Sequence, residues 1–477
     1  MSFIRRSQYF VTATLTAFGF FTFHSAATAE EKKDAPKPAD VAKTIEQSQN
    51  FFKQGEGKTR DANYRSALES FNQAIQLNPA WSSPYVSRGV VRSRLGDHQG
   101  ALQDLEQAAR LNPSDAMIYA HRGSVRYNLG EAEAALADLN KAIELNPTLA
   151  AAFVNRGYIH TQSQNFESAI ADFDQALRVQ PSYTPALVNR GFARFRNGDR
   201  EGAMQDLNEA IKLQSNYAEA YVVRGTLKHD MGETEDAIAD FTQAIRHKPT
   251  YLEAYFNRAQ ANSKRGFLEA AESDLNQVLK LNPDKASAFH QRGMIRAALN
   301  NVEGAMEDYN QALRLDPNDA AAIKSRGDLR AEAGDKSGAI ADYSQAVQMQ
   351  PNLASAYSSR AEIFSTMGDK QAAMQDLSQA VNFNSSDPSA FESRGKARMQ
   401  MGDLQGAIDD FSQALNLDAT RADAFYQRAR LMVIMGDRSS ARSDLERAAN
   451  LYLQAGDAEG YRKTLNAIRI YHATLSN

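Results

Sequence analysis

The sequence contains no cysteine, a single tryptophan and no excess of basic residues. Without cysteine the chain forms no disulfide, thiolate metal site or cysteine nucleophile, and it carries no lipidated N-terminal cysteine. Its 54 Lys and Arg residues against 58 Asp and Glu give a formal net charge of −4, whereas a nucleic-acid-binding protein usually carries a basic stripe. The sequence therefore argues against a disulfide-stabilised fold and against nucleic acid as a partner.

The first thirty residues have the composition of a secretory signal. Two arginines precede an uncharged, mostly apolar run from Phe10 to Phe23, and an Ala-Thr-Ala sequence ending at Ala29 follows it. A membrane-spanning helix needs about 20 apolar residues, and this run is shorter and rich in threonine. We therefore expect a signal peptide at 1–29 that is cleaved after Ala29, with an uncleaved membrane anchor as the alternative. The polar residues 30–40, with two prolines, predict a disordered linker.

A repeat of 34 residues dominates the rest of the chain. Prolines recur at intervals of 34 or twice 34, at positions 79, 113, 147, 181, 249, 283, 317 and 351. Alanine recurs at the same spacing from Ala67 to Ala441. Each unit is predicted to be two helices, because a glycine suited to a positive φ separates two apolar segments and a proline follows the second. The pattern predicts about twelve helix-turn-helix repeats over residues 41–455.

The two ends of the array depart from the pattern. In the first, degenerate unit, Gln54 to Thr59 is predicted to be a polar insertion between the helices. Residues 456–477 lose the period but keep a helical apolar face that includes Tyr461, Leu465 and Ile468. Because repeat arrays need a terminal cap, we expect a capping helix there.

This pattern resembles the tetratricopeptide repeat family. The resemblance rests on the 34-residue period, an aromatic residue near the start of each unit such as Tyr85, the Gly or Ala four residues later such as Gly89, two alanine columns and the closing proline. It implies an all-α fold, a right-handed α-solenoid superhelix of antiparallel helix pairs whose first helices line a concave inner face. It also implies that the chain binds proteins or peptides.

Each unit also carries one arginine in its first helix and one aspartate sixteen residues later in its second. Examples are Arg88 with Asp104, Arg122 with Asp138, and Arg224 with Asp240. The first unit has Gln54 and Ser70 at these places, so both charges vanish together. Pairing within one unit leaves no charge over, whereas pairing between neighbouring units would. We therefore predict a structural ladder of ion pairs, each within its own repeat.

No pattern in the sequence indicates catalysis or a metal site. The histidines are scattered without the i, i+4 spacing of a zinc motif. Gly57-Lys58-Thr59 lacks the rest of a phosphate-binding loop, since Phe52 stands where that loop needs glycine. Almost no sequence lies outside the array to form a catalytic domain, so we expect no enzyme activity, metal or cofactor.

The inner face of the predicted superhelix is the expected binding surface. The candidate binding residues are Asn155, Tyr158, Asn189, Phe192, Phe195 and Asn257. An amide can bind a peptide backbone as donor and acceptor, and aromatic rings suit an extended apolar peptide. The alternatives are that the amides are only solvated or structural and that the rings pack between helices. Further along, Asp328, Glu332, Glu362 and Glu392 form a mildly acidic stretch that would suit a basic segment.

The function that these patterns favour is a non-catalytic, exported scaffold that binds a protein or peptide in its groove. In a double-membraned bacterium it would lie in the periplasm. Three alternatives stay open: a self-associating or assembly subunit of a cell-envelope complex, an accessory protein that presents substrate to a separate enzyme, and a carbohydrate-binding protein.

Expression of the full chain in a secreting host is expected to yield a mature protein whose first residue is Glu30. The short apolar run favours cleavage over retention in the membrane. Intact-mass measurement and N-terminal sequencing of the purified protein check this. A membrane-bound protein that keeps residues 1–29 would instead establish the anchor.

Overall fold

The computed structural model describes residues 38–473, and every regular element within them is an α-helix. The predicted signal peptide at 1–29 and residues 30–37 of the predicted linker lie outside the described residues. The chain divides into two compact units, Met1–Ala261 and Asn262–Asn477. The boundary falls inside a single helix, so each unit is described separately.

Helices of the first unit alternate as first and second members of successive hairpins. They are α1 (Pro38–Arg60), α2 (Tyr64–Leu77), α3 (Ser82–Arg94), α4 (His98–Leu111), α5 (Ala116–Asn128), α6 (Ala132–Leu145), α7 (Ala150–Gln162), α8 (Phe166–Val179), α9 (Thr184–Arg196), α10 (Arg200–Leu213), α11 (Ala218–Asp230), α12 (Thr234–His247) and the greater part of α13 (Leu252–Lys264).

The second unit continues the same alternation. Its helices are α14 (Leu268–Leu281), α15 (Ala286–Ala298), α16 (Val302–Leu315), α17 (Ala320–Glu332), α18 (Lys336–Met349), α19 (Ala354–Met367), α20 (Lys370–Phe383), α21 (Pro388–Met401), α22 (Leu404–Leu417), α23 (Ala422–Met435), α24 (Arg438–Gln454) and α25 (Ala458–Ala473). The predicted all-α solenoid of 34-residue hairpins is confirmed. None of the helices described is both long and apolar enough to cross a membrane.

The turn inside each hairpin depends on one residue in the left-handed region. Gly96 has a φ of 87°, and the following Asp97 caps α4 by accepting a hydrogen bond from the backbone N–H of Gly100. Gln164 and Asn300 stand at the same position without being glycine, and both adopt a φ of 60°. The backbone therefore keeps one turn geometry even where a side chain makes that geometry less favourable.

Small residues let the two helices of a hairpin approach closely. The alanines of the recurrent second-helix column, such as Ala101 and Ala135, have no exposed surface. A Cβ on Gly123 would lie 2.9 Å from the Cγ of Leu139 and 3.0 Å from the carbonyl oxygen of Ala135. These columns therefore pack the helix crossing, and close packing penalises any larger side chain there.

Arginine and aspartate residues sixteen positions apart bridge the two helices of a hairpin. The Arg Nε and one terminal nitrogen bind the two carboxylate oxygens, and the aspartates are only 2–6% exposed. The pairs are Arg88–Asp104, Arg122–Asp138, Arg156–Asp172, Arg190–Asp206, Arg224–Asp240, Arg292–Asp308, Arg326–Asp342, Arg360–Asp376, Arg394–Asp410 and Arg428–Asp444. Each buried carboxylate thus receives a planar, bidentate cation from its own repeat.

In eight of these ten arginines, and in Arg258, the remaining terminal nitrogen points to the preceding repeat. It donates to a side-chain oxygen in that repeat's second helix over 2.6–3.0 Å. These contacts join Arg88 to Asn72, Arg156 to Asn140, Arg190 to Asp174, Arg224 to Asn208, Arg258 to Thr242, Arg292 to Asn276, Arg326 to Asn310, Arg360 to Ser344 and Arg428 to Ser412. One guanidinium therefore links three helices of two repeats.

A second cation supports many of the buried aspartates. It stands four residues after the ladder arginine, as Lys228 does beside Asp240 at 2.9 Å. Equivalent contacts come from Arg92, Arg126, Arg194, Arg296, Arg330 and Arg398. Phe364 takes this place beside Asp376, and among the described residues Arg360 is the cation that pairs with that carboxylate.

The first repeat corrects one sequence prediction. Gln54 to Thr59 is not an insertion between two helices, because α1 runs without a break to Arg60. The turn follows instead at Ala62, whose φ of 56° matches the turn residues of later repeats. Lys58 donates to the hydroxyl of Ser70 over 3.0 Å. This hydrogen bond takes the place of the ion pair that later repeats form between their two helices. The unit differs from the others by a longer first helix and not by an insertion.

The last helix has the position expected of a cap. Side chains of α25, including Ala467 and Ile468, pack against the buried cluster around Tyr426 and Leu445. Thr464 is fully buried and donates to the carbonyl oxygen of Gly460 within the same helix. The apolar face predicted for residues 456–477 is therefore used in part to cover the final hairpin, while Leu465 stays exposed.

Arg360→Ala is expected to lower the free energy of unfolding by about 3–5 kcal/mol, because Asp376 would be left buried without a cation. Arg224→Ala is expected to cost less, since Lys228 still pairs with Asp240. Urea denaturation of the full chain, followed by circular dichroism, measures both losses.

Arg246, which is exposed on α12, provides the matched control for removal of an arginine. If Arg224→Ala costs no more than Arg246→Ala, and adding Asp240→Ala changes nothing further, the buried-pair interpretation is wrong.

Candidate functional site

First helices of consecutive repeats contact one another in the first unit, as α5 does α7 and α7 does α9. Side chains at two positions per helix therefore form a continuous row, which we call the inner row. It consists of Ser124, Asn155, Tyr158, Asn189, Phe192, Val223, Thr226 and Asn257. Within it, each residue just before a ladder arginine faces the residue 31 positions earlier on the preceding first helix.

Two of the three candidate asparagines form hydrogen bonds inside the row. The Nδ2 of Asn155 donates to the Oγ of Ser124 over 2.9 Å. Asn257 donates in the same register to the Oγ1 of Thr226 over 3.3 Å. These amides tie neighbouring first helices together, so folding alone accounts for them.

Asn189 has a different environment. At the position where Ser124 and Thr226 offer hydroxyl groups, its register partner is the aromatic Tyr158. The residue is 8% exposed, and its side chain forms no hydrogen bond with any other residue between 38 and 473. Its amide nitrogen and oxygen are not among the fully buried polar atoms that lack a hydrogen-bond partner, so they keep contact with water and stay able to donate to and accept from a ligand.

Aromatic residues also lie in the row and beside it. Tyr158 meets Tyr127 edge to face with ring centroids 5.8 Å apart. Phe192 and Phe195 are partly buried against the main cluster of the unit. Burial raises the pKa of Tyr158 to about 12, so its phenol stays neutral near pH 7. The rings therefore both pack between helices and keep part of their surface open.

One arginine lies beside the aromatic residues of the row. The guanidinium of Arg196 lies over the rings of Phe166 and Phe192, 5.4 and 5.9 Å from their centroids. His121, in contrast, does not act as a cation: burial, aided by Arg94, lowers its pKa to about 4. The charge near the aromatic residues at neutral pH is thus carried by arginine and not by imidazole.

In the acidic stretch of the second unit, two of the four carboxylates pair with cations, whereas Glu332 and Glu362 are exposed. Asp328 binds Lys324 at 2.7 Å and accepts from the hydroxyl of Tyr343 at 2.9 Å. Glu392 receives both Lys396 and Arg421 at 2.7 Å. The sequence does not show which charged side chains pair in the folded chain, so it indicated a more exposed acidic surface. The part of the chain that the structure describes holds no group of three or more His, Asp or Glu side chains suited to a metal.

Sequence comparison identifies the repeats. Models of the tetratricopeptide repeat match residues 82–115, 154–218, 218–251, 252–285, 286–319 and 354–387, and a further TPR repeat model matches 123–164. Together these segments span more than half of the chain. None of the curated proteins matches the sequence.

Several solved structures are similar to the chain. Yeast Tom70 is 16% identical, with 89% of this chain and 95% of that chain covered and a TM-score of 0.43. A tetratricopeptide repeat protein from Parabacteroides merdae is 22% identical, with coverage of 52% and 99% and a TM-score of 0.44. Cut9–Hcn1, an APC/C hetero-tetramer, is 14% identical, with coverage of 90% and 95% and a TM-score of 0.43. These scores are low, so the family assignment rests on the sequence models.

Asn189→Val is expected to change the stability of the free protein by less than about 0.5 kcal/mol, because the amide that it removes has no partner inside the described protein and already reaches water. Val223 already occupies the equivalent position of the next repeat and is buried there. Urea denaturation measures the change.

Asn155→Val is the matched control. It leaves the hydroxyl of Ser124 without its donor and is expected to lose about 0.5–1.5 kcal/mol. If both variants lose stability equally, the amide of Asn189 has an internal partner after all.

Proposed function

We propose that this chain, which belongs to the tetratricopeptide repeat family, is a non-catalytic scaffold that binds a protein or peptide along the inner row of its first unit. The observation that carries the proposal is Asn189, a largely buried residue whose amide still reaches water and forms no hydrogen bond inside the described protein. A ligand that supplies both a donor and an acceptor would replace water at this group.

An extended peptide backbone has the required chemistry. Its N–H and C=O groups alternate along the chain, so one residue can satisfy both ends of the Asn189 amide. Tyr158 and Phe192 flank the amide in the row and offer apolar ring surface to the neighbouring side chains of the peptide. Phe195 lies one helical turn further along α9. In this proposal Asn189 recognises the backbone, and the rings select apolar side chains.

Asn155 and Asn257 have a secondary role in the same proposal. Their Nδ2 atoms are already committed to Ser124 and Thr226, but each amide oxygen can still accept a hydrogen bond. A peptide that continues beyond Asn189 in either direction would donate to these oxygens. The central contact and the two flanking ones thus follow one line of first helices.

Export is part of the proposal. The basic start, apolar run and Ala-Thr-Ala sequence of residues 1–29 support secretion, and a chain with no cysteine needs no disulfide to fold in an oxidising compartment. The compartment that we propose is the periplasm, or the exterior of the cell, with no membrane span after cleavage and no nucleic-acid partner.

One observation favours self-association as a second candidate. The last repeats expose a recurrent methionine at the end of each first helix, and Ile434 is exposed beside the last of them. The methionines are Met367, Met401 and Met435. Exposed apolar side chains in a row are typical of surfaces that another protein covers. An assembly subunit would use this edge, whereas a peptide-binding scaffold would use the inner row.

Chemical cross-linking of the tagged full chain in its native envelope, followed by mass spectrometry, is expected to capture one dominant protein partner. A variant with Asn189→Ala and Phe192→Ala is expected to lose that partner, because both the backbone contact and its flanking ring are removed. Arg246→Ala, on the exposed face of a second helix, is the control that should keep it.

The other outcomes separate the candidates. A partner that both variants retain would place binding outside the inner row and overturn the proposed site. Cross-links between copies of this chain alone, weakened when Met401 and Met435 are replaced by serine, would establish the assembly role instead.

A further inference from the structure

His290 stands out among the first helices of the second unit. It lies on α15 at a repeat position that Val222 and Phe256 occupy in the two preceding repeats. Its imidazole is 13% exposed and reaches the next first helix, α17. Nε2 lies 3.0 Å from the Oγ of Ser325, and Nδ1 lies 3.5 Å from the Oδ2 of Asp319. A titratable side chain thus stands where the two preceding repeats have an apolar one.

Asp319 is held ready to pair with a cation. It caps α17, and its Oδ1 accepts hydrogen bonds from the backbone N–H groups of Ala321 and Ala322 at 3.0 Å. Although burial raises the pKa of Asp319, the hydrogen bonds from His290 and these amides hold it below its ordinary value. The carboxylate therefore stays ionised over the range in which imidazole ordinarily titrates.

The other charged groups near α15 have partners of their own. On α15 itself, Arg292 and Arg296 bind Asp308 of α16. From α14, Glu272 pairs with Arg296. These pairs leave the carboxylate of Asp319 as the charge that faces the imidazole.

Two further groups on the neighbouring helices complete the surroundings. Lys324 of α17 pairs with Asp328 at 2.7 Å. The ring of Tyr309, on α16, meets His290 edge to face at 6.0 Å, and burial together with nearby carboxylates raises the pKa of this tyrosine to about 12, so it stays neutral. The phenol of Tyr309 therefore adds no charge beside the imidazole, and Lys324 is engaged with Asp328.

A later repeat shows the same contact with permanent charges. Three repeats on, Glu392 occupies the position of His290, and Arg421 occupies the position of Asp319. Their side chains form an ion pair of 2.7 Å between α21 and the start of α23. This position therefore joins consecutive first helices electrostatically in both repeats. The cation is Arg421 in the later repeat and the imidazole of His290 in the earlier one.

We propose that His290 makes the contact between α15 and the N-terminus of α17 a pH-sensitive joint in the second unit. When the imidazole is protonated, it forms an ion pair with Asp319 and ties the two first helices together. When it loses its proton at higher pH, the attraction is lost and the joint loosens. The stabilisation is thus present at low pH and disappears as the pH rises. Because both helices line the same face, their spacing changes with it.

Hydrogen exchange of the full chain at pH 5.5 and pH 8.0 tests the joint, with rates corrected for intrinsic exchange. Protection of the first turn of α17 is expected to fall by about two- to fivefold between the two conditions in the wild-type protein, the range typical of a partly exposed ion pair. His290→Lys, which keeps its charge, should hold protection at the higher value at both pH values. His290→Gln should hold it at the lower value.

The start of α23 serves as an internal control, because its ion pair between Glu392 and Arg421 contains no imidazole. Equal pH dependence in the wild type and in His290→Gln would overturn the proposal. So would a pH-dependent loss of protection in His290→Lys, because a permanent cation cannot lose its charge there. If the lysine variant does not fold, the comparison of wild type with His290→Gln decides alone.

Discussion

The buried aspartate of each second helix is the constraint on which the rest of the repeat depends. A carboxylate taken out of water costs several kcal/mol unless a cation and further donors surround it. Arg224 meets that need for Asp240 from the facing helix, and its third nitrogen reaches Asn208 in the preceding repeat. The same arginine therefore both closes its own hairpin and joins that hairpin to the preceding repeat. The small residues follow from the same geometry, because the ion pair forms only when the helices lie close together.

Much of this could be predicted from the sequence because the residue types at these positions have few substitutes. A turn with positive φ favours glycine, a close helix crossing needs glycine or alanine, and a buried aspartate needs a cation. The contact with the preceding repeat could not be predicted in the same way. Its acceptor is Asn208 in one repeat, Thr242 in the next and Ser344 further on, and each looks like an ordinary polar surface residue.

The first repeat shows where the same reasoning fails. Glycines at positions 55 and 57 suggested a turn, yet α1 passes through both. A Cβ on Gly55 would lie 2.5 Å from the ring of Phe71, so this glycine serves a close helix contact. The turn is at Ala62, which carries a left-handed backbone without being glycine. Glycine serves both purposes in this fold, and only the three-dimensional neighbour distinguishes them. Likewise, nothing in the one-dimensional pattern separates Asn189 from Asn155.

The inner row can vary because the ladder does not use it. Arginine and aspartate satisfy the requirement of each hairpin, and the residue just before the arginine is left for other contacts. The amides of Asn155 and Asn257 donate to hydroxyl groups of the preceding repeat. Val223 has no polar side-chain group at the same position. Each of these solutions lowers the free energy of the folded chain. Asn189 is buried beside Tyr158 without any of them, although a valine fits one repeat later. An amide that contributes no hydrogen bond to the fold and still reaches water is explained most directly by what it binds.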